Sequence, residues 1–138
     1  PAADDAAFPF TFAPTRCLNI GVGATGIPPH NVSTMGGSMI QDNSLVAEMN
    51  SETAAKAGVK AGDAIRISGP KGEVKARVRI FEGLTSGVVT APLNLGHTAF
   101  DVYSKGKGDN AFKAVAVSVE PGVGQSVWAA SRVKIAKI

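Results

Sequence analysis

The chain has 138 residues, with 16 glycines, 8 prolines, 6% aromatic residues, one cysteine and a net charge of +3. That length suits one domain able to bury its own core, and the glycine and proline load predicts a turn-rich, mainly β fold. A single cysteine excludes an internal disulfide and a cysteine-based zinc or iron–sulfur site, and no apolar run nears the roughly 18 residues of a membrane-spanning helix.

The charge is uneven: residues 1–50 carry a net −3 and residues 51–138 a net +6. A mild basic excess suits an anionic ligand or plain solubility. One Tyr and one Trp are too few to stack on bases, so nucleic acid is not an expected partner, and neither is direct membrane insertion. The opening PAADDAAFPFTFAPT lacks a methionine and a charged-then-apolar leader, which reads as a processed chain or a fragment of a larger one.

In chain order, residues 1–9 read as an extended arm, with Phe8, Phe10 and Phe12 alternating as in a strand joining a sheet. RCLNIGVGA (16–24) predicts a short strand in which Cys17 is a small buried hydrophobe. GVGATG (21–26) has no helix after it, which excludes a dinucleotide loop of the βαβ kind. TGIPPHNVSTMGGSMIQDN (25–43) is a long polar loop, and loops of that length inside small domains usually bind something or move.

SLVAEMN (44–50) predicts a strand, and Asn50 caps a short helix from Ser51 to about Ala57 that carries Glu52 in its first turn. Gly58 supplies its left-handed end. AIRIS (64–68) and EVKARVRIF (73–81) predict two strands joined by GPKG, with Asp63 a turn-former before the first. In the second strand Val74, Ala76, Val78 and Ile80 face inward, and Lys75, Arg77 and Arg79 face solvent.

VVTAP (88–92) is a further strand, and LNLGHTAFDVYSKGKGDN (93–110) a second long polar loop. AFKAVAVSV (111–119) and SVWAASRVKIAKI (126–138) complete the sheet as strands around the EPGVGQ turn. GVKAGDAI (58–65) echoes GLTSGVVT (83–90), two similar corners that suggest a barrel with pseudo-twofold character. Trp128 and Tyr103 read as packing residues or as contacts to another domain. His30 and His97 are the only histidines, and no carboxylate stands at ligand spacing beside them, which argues against a metal site.

The block AEMNSETAAKAGVKAGDAIRISGPKGEVKARVRIFEGLTSGVVTAP closely resembles the C-terminal domain of molybdopterin oxidoreductases, the dimethyl sulfoxide reductase family. GKGDNAF and AASRVKIAKI extend the resemblance over nearly the whole chain, and GHTAF.VY.KGKGDNAF looks most like large subunits of quinone-linked respiratory complexes. The resemblance implies a single domain over residues 1–138: a six-stranded double-psi β-barrel with one or two short helices and long loops. It implies a lid over a bis(pterin guanine dinucleotide) cofactor, closed by loops 27–38 and 94–112, with molybdenum or tungsten held by other domains. The implied contacts are His30, Asn31, Ser33 and Thr34 in the first loop, and His97, Thr98, Gly108 and Asn110 in the second.

No residue is implied to be catalytic, and the isolated domain is expected to do no redox chemistry. Implied partners are the remaining domains of the same oxidoreductase, iron–sulfur or haem subunits, and quinone-linked membrane subunits. The implied location is periplasmic or membrane-associated in a bacterium, with a cytoplasmic one open. Small residues stand in NIGVGATG where the family often carries an arginine, and Asp101 and Val102 stand where it has a glycine and an arginine. These departures keep a second reading open, a structural domain of a cofactor-free member that scaffolds a quinone-linked electron-transfer complex. A third is a free-standing barrel that binds a protein partner.

Overall fold

Alternation decides which side of each strand faces inward, and the computed structural model, which describes residues 6–17, 20, 28–99, 102–128 and 131–138, carries that pattern into a closed barrel. Its strands are β1 (Phe10–Phe12), β2 (Ile40–Gln41), β3 (Ser44–Met49), β4 (Ala64–Gly69), β5 (Gly72–Ile80), β6 (Val88–Val89), β7 (Ser118–Val119), β8 (Ser126–Val127) and β9 (Ser131–Lys137). On β5 the expected inward residues Val74, Ala76 and Val78 are buried and Ile80 half-buried, while Lys75 and Arg79 are exposed. Phe10 and Phe12 of β1 reach the same core as Leu45, Ile65 and Val133.

The main sheet runs β2-β3-β5-β4-β9-β1-β6. Its two ends meet: the Glu48 N–H donates to the Thr90 carbonyl at 2.8 Å and the Thr90 N–H to the Glu48 carbonyl at 3.0 Å. This antiparallel bridge joins β3 to the end of β6 and leaves six strands in a ring with β2 as a flap on β3. Two pairings are parallel, β3 with β5 and β1 with β6, and the rest are antiparallel. Going round from β3 the order of parallel and antiparallel pairs reads the same in both directions, so β3, β5 and β4 correspond to β6, β1 and β9. This is the expected double-psi barrel with its pseudo-twofold. The two glycine corners are a different matter: they lead into β4 and β6, which are not counterparts, and what Gly62 and Gly87 share is a left-handed φ of 83°.

Helix α2 (Ser51–Ala57) follows β3 as expected, and its capping is also a tertiary lock. The Asn50 side chain accepts from the Thr53 N–H at 2.8 Å and from the Thr53 hydroxyl at 2.6 Å, and its Nδ2 donates to the Leu84 carbonyl at 3.2 Å. The same Thr53 hydroxyl accepts the Gly87 N–H at 2.8 Å. Helix start and 82–87 corner are thereby held as one unit. Gly58 closes the helix at φ 68°. Asp63 is the expected turn-former: its carboxylate accepts the Lys60 N–H at 2.9 Å and pairs with Lys137 on β9 at 2.7 Å. At the other end of the barrel the Arg132 guanidinium donates to the Phe8 and Pro9 carbonyls and the Thr11 hydroxyl at 2.9–3.1 Å, pinning β1 to β9.

Three expectations need correction. Residues 111–119 are not one strand: Ala111–Ala114 form a 3₁₀ turn with Ala111 and Ala114 buried under β5, and only Ser118–Val119 pair as strand. A glycine pair makes this possible, since a Cβ at Gly69 would stand 2.1 Å from the Ala114 carbonyl oxygen. Strands β7 and β8 do not complete the barrel; they form a separate hairpin. The long loop at 25–43 is also more regular than expected, holding the short helix α1 (Pro29–Ser33) and β2. Of the strand expected at 16–24, Cys17 and Ile20 form an isolated bridge with each other, and residues 18–19 and 21–24 lie outside the described residues, as do GVGATG, Asp101 and arm residues 1–5.

Candidate functional site

Proline fixes where the first loop coils. Pro28 and Pro29 start α1, where a missing N–H costs nothing. The Ser33 hydroxyl donates to the His30 carbonyl at 2.7 Å and the Thr34 hydroxyl to the Asn31 carbonyl at 2.9 Å, so these short polar side chains close the turn. His30, Ser33 and Thr34 are exposed and Asn31 half-buried.

The second loop is tied to the barrel through Asp109. Burial pushes its carboxyl upward, but hydrogen bonds from the Lys113 ammonium at 2.6 Å, the Lys75 N–H at 3.1 Å and its neighbour Asn110 N–H at 2.8 Å outweigh that, leaving it below its ordinary value. Gly96 is required here: at φ 80° a Cβ would lie 2.5 Å from the Asn110 nitrogen. The His97 ring Nε2 lies 3.1 Å from the Asn94 carbonyl, and the Gly108 N–H donates to the Asn43 carbonyl at 2.8 Å. Thr98 is exposed. The Asn110 side chain accepts the Phe112 N–H at 3.0 Å, capping the 3₁₀ turn.

The two loops touch. Pro29, His30, Val32 and Ser33 from α1 face Tyr103 and Lys107 across a shallow hollow of about 400 Å³. His97, Thr98, Gly108 and Asn110 do not line it, nor do Asn31 and Thr34. A deeper cleft of about 450 Å³ opens beside the strand bridge that closes the barrel. Thr15, Arg16 and Cys17 form one wall, Thr34, Gly36, Ser38 and Met39 the next, and Glu48 with residues 90–92 the floor. Glu48 is ion-paired with Arg79 through Oε1, its side chain 20% exposed. Burial raises the Cys17 thiol above its ordinary value, and the Glu48 charge raises it further. Cys17 is thus a protonated wall residue, half-buried against the core instead of the fully buried small hydrophobe expected.

Of the expected contacts, only Thr34 lines this cleft. Arg16 and Glu48 are its charged members, and neither was singled out from the sequence. For Arg16 a signal existed: an arginine does follow the first strand, but it precedes the small residues of 18–26 instead of standing among them. For Glu48 the sequence marks only an acid on the strand expected at 44–50. The donor chemistry fits an anionic, hydrogen-bonding ring ligand of the pterin dinucleotide kind: an exposed guanidinium, four hydroxyls (Thr15, Thr34, Ser38, Thr90) and one oriented carboxylate converge on one cavity.

The sequence profile of the molydopterin dinucleotide binding domain matches residues 29–123. The menaquinone reductase molybdopterin-binding-like subunit of Nitratidesulfovibrio vulgaris is 43% identical over 131 residues, which is 95% of this chain and 19% of that protein. The arsenate respiratory reductase molybdopterin-containing subunit of Shewanella sp. (strain ANA-3) is 35% identical over 65 residues, covering 47% of this chain and 8% of that protein. Among solved structures, acetylene hydratase from Pelobacter acetylenicus superposes with a TM-score of 0.71 at 16% identity, over 97% of this chain and 19% of that one, a likeness of fold. The chain thus spans about a fifth of the length of the first of these relatives.

Proposed function

The chain belongs to the molydopterin dinucleotide binding domain family, and on that premise we propose that it closes one side of the cofactor cleft of a larger molybdopterin oxidoreductase. When bound, the cofactor supplies the metal-centred redox chemistry; this chain binds and orients it and excludes water. The observation that carries the reading is the convergence of first-loop residues Thr34, Gly36 and Ser38 with Arg16 and Glu48 on one cleft. Thr34, Gly36 and Ser38 form a wall of that cleft, and Tyr103 and Lys107 face α1, which supports loops 27–38 and 94–112 as the parts of the lid that meet a large polar ligand. In this reading His30, Asn31, Ser33, His97, Thr98, Gly108 and Asn110 meet outlying parts of the dinucleotide, beyond the central cleft. The metal, whether molybdenum or tungsten, is held by other domains.

Phe112, Val117, Val119 and Val123 are exposed on or beside the β7–β8 hairpin and supply an apolar face for the remaining domains. Iron–sulfur or haem subunits and a quinone-linked membrane subunit complete the proposed assembly, placed at a bacterial membrane. A second reading, a cofactor-free scaffold, draws support from the relative whose subunit is named molybdopterin-binding-like. Metal analysis of the native assembly separates the two. Near-stoichiometric molybdenum or tungsten, with fluorescent oxidised pterin in an acid extract, is expected. An intact, redox-active assembly lacking both would overturn the lid reading and leave the scaffold.

A further inference from the structure

We propose that Glu48 and Arg16 read two ends of one ligand in the cleft: Glu48 accepts from the ring N–H and exocyclic amine of a 2-amino-4-oxopyrimidine edge, and Arg16 pairs with a phosphate. The inference rests on the proposed function for the class of ligand, and adds which residues recognise it and by what chemistry.

Glu48 sits on β3 at the bridge that closes the barrel, its backbone held by both hydrogen bonds to Thr90. Arg79 holds one carboxylate oxygen, Oε1, and so limits how the group can turn. Among the described residues no protein donor reaches the second oxygen, and a carboxylate has about four lone-pair positions to fill. A carboxylate in the cleft floor, mostly buried and held at one oxygen, is matched by two parallel N–H donors on a planar edge. Guanine and pterin present that edge through the same 2-amino-4-oxo ring. Adenine offers a lone pair at the equivalent ring nitrogen and is repelled, and hypoxanthine lacks the amine.

Arg79 already balances the Glu48 charge, so Arg16 leaves the cleft with a surplus of positive charge. Arg16 is exposed and, among the described residues, has no ion-pair or hydrogen-bond partner. Thr15 on the same wall and Thr90 on the floor, their hydroxyls 3.2 Å apart, offer further hydrogen bonds to a phosphate. The cleft volume of about 450 Å³ is within the range of small-molecule sites and takes a bicyclic ring with its phosphate.

The test is calorimetric titration of the 138-residue chain with guanosine monophosphate, inosine monophosphate, adenosine monophosphate, guanosine and neopterin. Guanosine monophosphate is expected to bind about tenfold tighter than inosine monophosphate, the worth of one charge-assisted hydrogen bond, and the adenine nucleotide more weakly still. Glu48→Gln should reduce the guanine-to-hypoxanthine preference to less than about twofold, while the near-ultraviolet circular dichroism stays that of the parent. Arg16→Gln should bring guanosine monophosphate down to the affinity of guanosine and leave the base preference intact. Neopterin against guanosine shows which of the two rings the cleft takes.

Equal binding of the guanine and hypoxanthine nucleotides by the unmodified chain overturns the assignment without any variant, and so does a folded Glu48→Gln chain that keeps the preference. Failure of every probe to bind, in a chain whose native assembly holds metal and pterin, overturns this inference and leaves the lid reading standing. Base discrimination in a chain whose assembly holds neither does the reverse.

Discussion

Thr53→Val tests the claim that the start of α2 and the 82–87 corner are one unit. Valine keeps the shape of threonine and removes a single hydroxyl. That hydroxyl donates to Asn50 Oδ1 at 2.6 Å and accepts from the Gly87 N–H at 2.8 Å. Asn50 Oδ1 keeps its bond from the Thr53 N–H at 2.8 Å, so the cap survives. The Gly87 amide loses its only protein acceptor among the described residues. An orphaned buried donor costs about 1–3 kcal/mol, and Gly87 is half-buried, so water replaces part of what is lost and the expected cost is about 1.5 kcal/mol. With an unfolding entropy near 2.1 cal/mol/K per residue over 138 residues, that lowers Tm by about 5 °C. Urea and thermal unfolding followed by circular dichroism read the change, with an unaltered m-value. Hydrogen exchange at the Gly87 amide should accelerate more than at neighbouring amides. Thr53→Val and Asn50→Ala should be non-additive, because they remove members of one network. A cost below about 0.5 kcal/mol with unchanged Gly87 exchange would refute the lock, since that is the level of an ordinary surface change.

Other outcomes follow from the same geometry. Gly58→Ala meets open space at φ 68° and should cost about 1 kcal/mol; Gly96→Ala meets the Asn110 backbone nitrogen at 2.5 Å as well as φ 80° and should cost about 3 kcal/mol or more, both read by urea unfolding. Asn110→Ala removes the acceptor for the Phe112 N–H and should cost about 1 kcal/mol of stability, with the 111–114 amides exchanging faster. The Asp109 carboxyl is depressed below 3.8 in the folded chain, so its contribution to stability is present above 3.8 and is lost as pH falls through the folded value. Asp109→Asn should therefore be less stable than the parent at neutral pH and show a shallower acid limb below pH 3.8; parallel curves would count against the assignment.

Local chemistry made much of the barrel legible. Asn50 as a cap, Gly58 as a stop and the alternation of Val74, Ala76 and Val78 are each decided within a few residues, and the structure has them where sequence reasoning expects them. The misplaced elements are those whose conformation depends on distant partners. The segment from Ala111 has the apolar spacing of a strand, but Gly69 and Gly72 let its backbone approach β4 and β5 so closely that it packs as a 3₁₀ turn. No periodicity in 111–119 contains that information. Among the described residues strand β7 likewise pairs with β8 and with no strand of the ring, which is already closed by the Glu48–Thr90 bridge.

That bridge also explains why the candidate site was harder to see than the fold. The family resemblance implied His30, His97 and Asn110 as contacts, yet in the structure Asn110 serves its own 3₁₀ turn and the ring of His97 faces the Asn94 carbonyl. The charged residues of the cleft stand on or beside strands, where the sequence reads Glu48 as one residue of a strand and Arg16 as the start of another. Closure of the ring brings residues 15–17, 48 and 90–92 to one cleft, although they are far apart in sequence and unremarkable one at a time. A closed barrel has few places where strand ends leave room for a ligand, and the position of the closing bridge selects this one. If recognition is built there, substitutions at the bridge should alter ligand preference while loop substitutions alter mainly affinity. Guanine-to-hypoxanthine ratios for Thr90→Val and His30→Ala make that comparison directly: the first is expected to change the ratio at least twofold through the position of Glu48, and the second to leave it unchanged. The opposite pattern would move recognition back to the loops.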